Sequence, residues 1–304
     1  METPNSQVSW SADQWSQINK AVHDEVNKAS VAGSFLPCYG PLAQSAEVVR
    51  RQNLLEFDTP GSPLLVDDVE TLVLWSLTVH VYLKQQQMAQ ERLEDALLAF
   101  RRGANILARA EDAIVFRGLP RGYPNREELD AIRVPQQCLV TNGQQMEGLL
   151  EEGGKLSLDE YGFKNNTVPP PYSKNIVRVI AAAVAALEKD GHLAPFACVL
   201  GDMAYIEAFT PEEHSLVLPS DRITPMLGMP LLRSGILPPR AGFVVSLSGD
   251  PLDLVVATPP TVQFLNISDE AKYHFRVYER FSYRIKEKNA LCSFELSGPD
   301  NKSK

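Results

Sequence analysis

The side chains best suited to chemistry in this 304-residue chain are five histidines and four cysteines. His23, His80, His192, His214 and His274 stand too far apart in sequence for an H-E-x-x-H pattern to put two imidazoles on one helix face. Cys38, Cys138, Cys198 and Cys292 form no C-x-x-C pair, and no histidine sits at zinc-ligand spacing from any of them. Their simplest reading is buried thiols in a reducing compartment. Cys198 with His192 or His214 has the residue types of a nucleophile pair, yet Cys198 falls in an apolar strand pattern. Glu111-Asp112 offers neighbouring carboxylates for acid–base or metal work; ion-paired or solvated carboxylates are the simpler reading. The sequence has no nucleophile elbow, P-loop or dinucleotide-binding glycine pattern. No catalytic, cofactor or metal site is expected.

Arg276, Arg280 and Arg284 share one strand parity and spread over about 26 Å at 3.3 Å per residue. They suit phosphate, or acidic residues on a neighbouring strand. The second reading is favoured by the acidic balance, 38 Asp+Glu against 29 Lys+Arg, a net charge of -9. That balance also disfavours general nucleic-acid binding. Hydrophobic residues at 44% and charged residues at 22% are ordinary for a globular chain of about two domains. The start Met1-Glu2-Thr3-Pro4-Asn5-Ser6 does not read as a signal peptide. The longest apolar stretch, Ile176 to Leu187, is too short to span a bilayer. A soluble, cytoplasmic protein is expected.

These residues need elements to position them. Ser11, with Gln14 three residues on, reads as a helix cap, and Trp15, Ile18, Val22 and Val26 form the apolar stripe that follows. An apolar arm, Phe35 to Pro41, comes next. Leu54 to Phe57 and Leu64 to Val66 read as a hairpin about the turn Asp58 to Pro63. Leu77, Val79, Val81 and Leu83 alternate with Thr78, His80, Tyr82 and Lys84, a strand. Leu93, Leu97, Phe100, Ala104, Leu107 and Ile114 predict a long helix from about Gln90 to Phe116. From Leu119 to Tyr172 the pattern weakens. Ser173 is expected to cap a helix that stops at Gly191. Ser248-Gly249-Asp250 reads as a tight hairpin turn between strands Gly242 to Leu247 and Leu252 to Val256. A long, bent strand covers Tyr273 to Lys286, and the tail from Leu296 is expected to be disordered.

The order of these pieces resembles the encapsulin shell proteins, the linocin/bacteriocin-type family with the HK97 phage-capsid fold. The resemblance is carried by Trp15-x-x-Ile18, the arm Phe35…Gly40-Pro41 and the strand Leu77 to Leu83. It continues in Glu111-Asp112-Ala113-Ile114-Val115-Phe116-Arg117-Gly118, Gly191 to Leu200, Ser248-Gly249-Asp250 with Leu252-x-Leu254, and Arg276-x-x-x-Glu279-x-Phe281. It implies an α+β fold with an N-terminal helix and arm (1–49), an E-loop (50–76), a P-domain (77–136 and 253–295), an A-domain (137–252) and a tail (296–304). It implies a shell protein, not an enzyme. Such proteins assemble as sixty subunits, or a larger icosahedral multiple. They enclose cargo through a targeting peptide, typically a dye-decolourising peroxidase or a ferritin-like iron-storage protein. Carried onto this chain, the resemblance assigns cargo docking to Val22, Val26, Phe35, Leu36, Val262 and Phe264. It assigns a cation-favouring five-fold pore loop to Glu212, Glu213 and His214. Two departures matter. Gly33 and Pro37 flank the arm's Phe35 where family members often carry Arg and Asp, so the cargo contact is altered. Lys84-Gln85-Gln86-Gln87 replaces the aromatic beside which some members bind flavin, so no flavin is expected. Two other readings remain: a prophage-derived capsid packaging nucleic acid, and a hydrolase using Cys198 or Glu111.

Overall fold

The computed structural model describes residues 8–43, 45–55, 60–164, 167–212 and 215–296. Two five-stranded sheets dominate. The first runs in the order Cys38–Tyr39, Leu252–Ile267, Lys272–Ile285, Trp75–Lys84, Cys138–Asn142. Its three long strands are antiparallel neighbours. The long helix, Glu94–Arg117, and the N-terminal helix, Ala12–Ala29, lie on one face of this sheet. Gly103 marks the tightest approach: a Cβ there would sit 2.8 Å from Val277 Cγ2. The stripe Leu97, Phe100, Ala104, Leu107 and Ile114 is buried as its spacing predicts. The helix begins four residues later than expected, after Leu93, whose backbone is left-handed at φ 52°.

The second sheet runs Gly154–Lys155, Leu291–Glu295, Ala241–Ser246, Phe196–Leu200, Leu232–Arg233. The helix Tyr172–Lys189 packs on it and owns a separate core of Ile176, Ile180, Ala183, Phe196 and Cys198 among others. Pro171, not Ser173, holds the cap position of that helix; Ser173 is buried in its first turn.

Three further sequence expectations change. Ser248-Gly249-Asp250 does turn, with φ of 84° at Gly249 and 54° at Asp250. It carries the chain from the second sheet to the first, so it joins no hairpin. The strand expected over Leu252 to Val256 extends to Ile267, straight through Pro259-Pro260. Prolines cannot donate to a ladder, and the register slips there, between Val256 and Thr258 and between Thr258 and Thr261. The expected A-domain limits of 137 and 252 also move. Cys138–Asn142 pairs into the first sheet, and Leu291–Glu295 closes back into the second. Leu296 is fully buried, its N–H donating to the Arg240 carbonyl at 2.9 Å. The rest of the expected tail, 297–304, lies outside the described residues.

Candidate functional site

The N-terminal helix is fixed at its start by the expected capping box. Gln14 N–H donates to Ser11 Oγ at 3.2 Å, and Ser11 N–H donates to Gln14 Oε1 at 2.9 Å. Just before it, Trp10 stacks on Phe275 with ring centres 5.2 Å apart and donates from Nε1 to the Met88 carbonyl at 3.0 Å. The six residues assigned to docking do come together. Val22, Val26, Phe35, Leu36, Val262 and Phe264 all belong to one core cluster, and all are buried. They pack into the core of their own subunit and glue the helix to it. The long helix and strand Leu252–Ile267 already cover the stripe. The outward face of the helix is polar, with Asp13, Gln17, Lys20, Asp24 and Lys28 exposed.

At its far end the helix is clamped by carboxylates. Asp112 accepts from the N–H groups of Val31 and Ala32, at 3.0 Å and 2.8 Å. Ser30 Oγ donates to Glu111 Oε1 at 2.8 Å. Glu111 and Asp112 were expected to be ion-paired or solvated; they are 2% and 3% exposed. Glu279, on strand Lys272–Ile285 and 1% exposed, joins them. Burial raises all three carboxyls above their ordinary range, Asp112 to about 7. After burial, the neighbouring Glu111 pushes Glu279 further up, and a hydrogen bond between the pair follows from Glu279 holding the proton. Glu279 Oε2 has no hydrogen-bond partner. No ion pair neutralises this cluster among the described residues.

The hairpin forms between Asn53–Leu55 and Leu65–Asp67, with Leu54 opposite Val66. Residues 56–59 lie outside the described residues. Ion pairs Arg50–Asp68 and Arg51–Glu70 stiffen its base. One flank is tied to the body, where Leu54 N–H donates to the Lys286 carbonyl at 2.8 Å. Leu64, Leu65, Val66 and Val69 are exposed. An apolar cluster on a protruding ribbon is the signature of a surface meant to be covered.

The loop after Thr210 presents Leu216 and Val217 outward. Glu212, assigned to a pore, pairs with Arg222 at 3.2 Å. Its expected companions Glu213 and His214 lie outside the described residues.

Among the described residues no cysteine resembles an activated nucleophile. Burial raises the thiols of Cys138, to about 12, and Cys292, to about 11, and pushes Cys198 up further. Cys38 is raised too, by burial first and then by Glu111 and Asp253. A reactive thiol needs the opposite shift, which removes the Cys198 hydrolase reading. Among the described residues no group of three or more His, Cys, Asp or Glu is placed to hold a metal. The arginine strand resolves as strand pairing where the geometry is closest: Arg284 donates from Nε to Asp253 Oδ1 at 2.8 Å, and the pair is buried. No helix is long and apolar enough to cross a membrane among the described residues.

Comparison with known proteins fits these shapes. The profile of a family described as "Encapsulating protein for peroxidase" matches residues 5–137 and 139–282. The chain is 25% identical over 302 residues to the type 1 encapsulin shell protein EncA of Myxococcus xanthus (strain DK1622), covering 94% of this chain and 93% of that one. It superposes on the virus-like particle protein of Pyrococcus furiosus with a TM-score of 0.62 at 14% identity, covering 92% of this chain and 99% of the other. It also superposes on the capsid of Myoviridae Phage XM1 with a TM-score of 0.56 at 13% identity, covering 87% of this chain and 90% of the other. The architecture is the α+β fold of HK97-like capsids.

Proposed function

The chain belongs to the family of encapsulating proteins for peroxidase, the encapsulin shell proteins, and on that premise we propose that it assembles into a closed icosahedral shell of sixty subunits or a larger multiple. It is a structural protein, not an enzyme. The observation that carries this reading is the extent of the family match, which covers residues 5–137 and 139–282, from the N-terminal helix into the last long strand of the first sheet. The exposed apolar hairpin supports it, since a lone subunit has no use for that surface.

The enclosed cargo is a peroxidase or a ferritin-like protein bearing a targeting peptide, and the compartment is cytoplasmic. The cargo peptide docks along the N-terminal helix. Val22, Val26, Phe35, Leu36, Val262 and Phe264 then act from beneath, holding the helix as a platform rather than touching the peptide. Gly33 and Pro37 beside Phe35 are the positions that tune this contact. In the assembled shell, residues 50–76 are the E-loop and reach a neighbouring subunit. The second sheet and its helices are the A-domain, and the first sheet with the long helix is the P-domain. The loop carrying Glu212, Glu213 and His214 rings the five-fold axis.

Size-exclusion chromatography and negative-stain microscopy of the purified chain test this. A megadalton particle with a hollow interior and a protein-like absorbance ratio is expected. A chain that stays monomeric or dimeric at micromolar concentration overturns the reading, and a nuclease-sensitive, nucleic-acid-like absorbance favours a genome-packaging capsid instead.

A further inference from the structure

The sheet face opposite the two helices carries a pair of imidazoles. His80 lies on strand Trp75–Lys84 and His274 on Lys272–Ile285. In the ladder His80 faces Arg276 and His274 faces Tyr82, so the two histidines are diagonal neighbours. Their rings meet with His274 Nε2 only 2.8 Å from His80 Nδ1. His274 Nδ1 sits 3.2 Å from Asn266 Oδ1. An amide oxygen only accepts, so His274 carries its proton on Nδ1 and turns the lone pair of Nε2 toward His80. Tyr82 stacks on the His274 ring at 4.3 Å and 10°, which fixes the ring plane.

We propose that His80 and His274 are a chelating pair for one divalent transition metal ion per chain, of the zinc, copper or nickel class. Two imidazoles with no thiolate select that borderline group over magnesium or calcium, which take oxygen ligands. Zinc–nitrogen bonds of about 2.0–2.1 Å in a tetrahedron set two ligand nitrogens about 3.3 Å apart. The pair needs to open by roughly half an ångström from its 2.8 Å contact. His80 moves its proton from Nδ1 to Nε2, both rings stay neutral, and water fills the remaining positions. Asn266 then plays the orienting role that a carbonyl or carboxylate plays behind most metal-bound histidines.

Nearby charges limit the affinity without closing the site. Arg276 is turned away, donating to Gln263 Oε1 from Nε at 2.9 Å and lying over the Tyr278 ring. Lys272 is paired with Glu270. Lys84, opposite Lys272 in the ladder, is exposed. The expected site is therefore of micromolar class.

The test is calorimetric titration of the EDTA-stripped full-length protein with zinc chloride at pH 7.5, with magnesium chloride as control. One zinc per chain is expected, and no magnesium. His80→Gln and His274→Gln should each weaken zinc binding at least tenfold, and Asn266→Ala should weaken it about 10- to 100-fold. No stoichiometric zinc uptake, or uptake equal in the wild type and in both glutamine variants, overturns the proposal. His80 is exposed and His274 part-exposed, so both variants are expected to elute as the wild type does, which separates loss of metal from loss of fold.

Discussion

Glu279 sets up the pH behaviour of the N-terminal clamp. Its raised carboxyl, with those of Glu111 and Asp112, binds protons in the folded chain that the unfolded chain releases above about pH 4. Stability therefore falls as pH rises from the unfolded carboxyl range. Asp112's share of that fall ends near its folded value of about 7. The rise from 3.8 to about 7 sets that share at no more than about 4 kcal/mol. Glu279→Gln keeps a donor toward Glu111 and removes the titration. It should flatten the slope, the variant gaining stability over the wild type as pH rises above the unfolded carboxyl range. Hydrogen exchange at the Val31 and Ala32 amides across that range reads the effect; an unchanged slope in the variant would show that Glu279 is not the titrating group. None of this was legible in the sequence. Glu111 and Asp112 were visible as a carboxylate pair, but their partner Ser30 lies 81 residues away from Glu111. The histidines were set aside on spacing, and His80 meets His274 across 194 residues. Local motifs detect ligands that one helix or turn brings together; a ladder between distant strands leaves no such spacing.

At the scale of elements, periodicity carried far. The capping box, the stripe of the N-terminal helix and the strand Trp75–Lys84 appear where their residues placed them, and the long helix does so apart from its first turn, because each is an amphipathic face with one side buried. The failures share a cause as well. Pro259-Pro260 looks like a strand end but sits in a bulge, where a missing N–H costs little. Leu119 to Tyr172 looked irregular because its helices Arg126–Ala131 and Leu149–Glu152 are too short to show a period. The residues assigned to docking form one cluster inside the subunit, and a stripe shows what is buried, not which chain buries it. That yields a prediction. Ile18→Ala empties a fully buried site and should cost about 2–5 kcal/mol of stability. Ser11→Ala removes the cap and should cost about 1 kcal/mol. If the helix is a platform held from beneath, cargo co-purification should fall in order of helix stability, Ile18→Ala below Ser11→Ala below wild type. Loading that ignores helix stability, measured by mass spectrometry of the particles, would argue for direct contact elsewhere.

For the whole molecule, the question is what the subunit leaves exposed. In the proposed shell, -9 per chain would bring 540 net negative charges together in sixty copies. Such a particle would repel nucleic acid and would need contacts strong enough to offset its own repulsion. Leu64, Leu65, Val66 and Val69 provide apolar area for this, being 70%, 53%, 55% and 86% exposed on the ribbon. Burial at roughly 25 cal/mol per Å² rewards each such contact, and a closed shell repeats it at every subunit. Leu65→Asp and Val66→Asp should therefore leave the subunit folded, with circular dichroism and hydrogen-exchange protection of the two cores unchanged. The same variants should shift the elution from particle to free subunit. Raising ionic strength screens the net charge, so it should recover part of the assembly in a charge-weakened shell and less where the apolar contact itself is gone. Particles that form normally from both aspartate variants would show that the ribbon is not the joint, and would move the search to the second exposed apolar tip, at Leu216 and Val217.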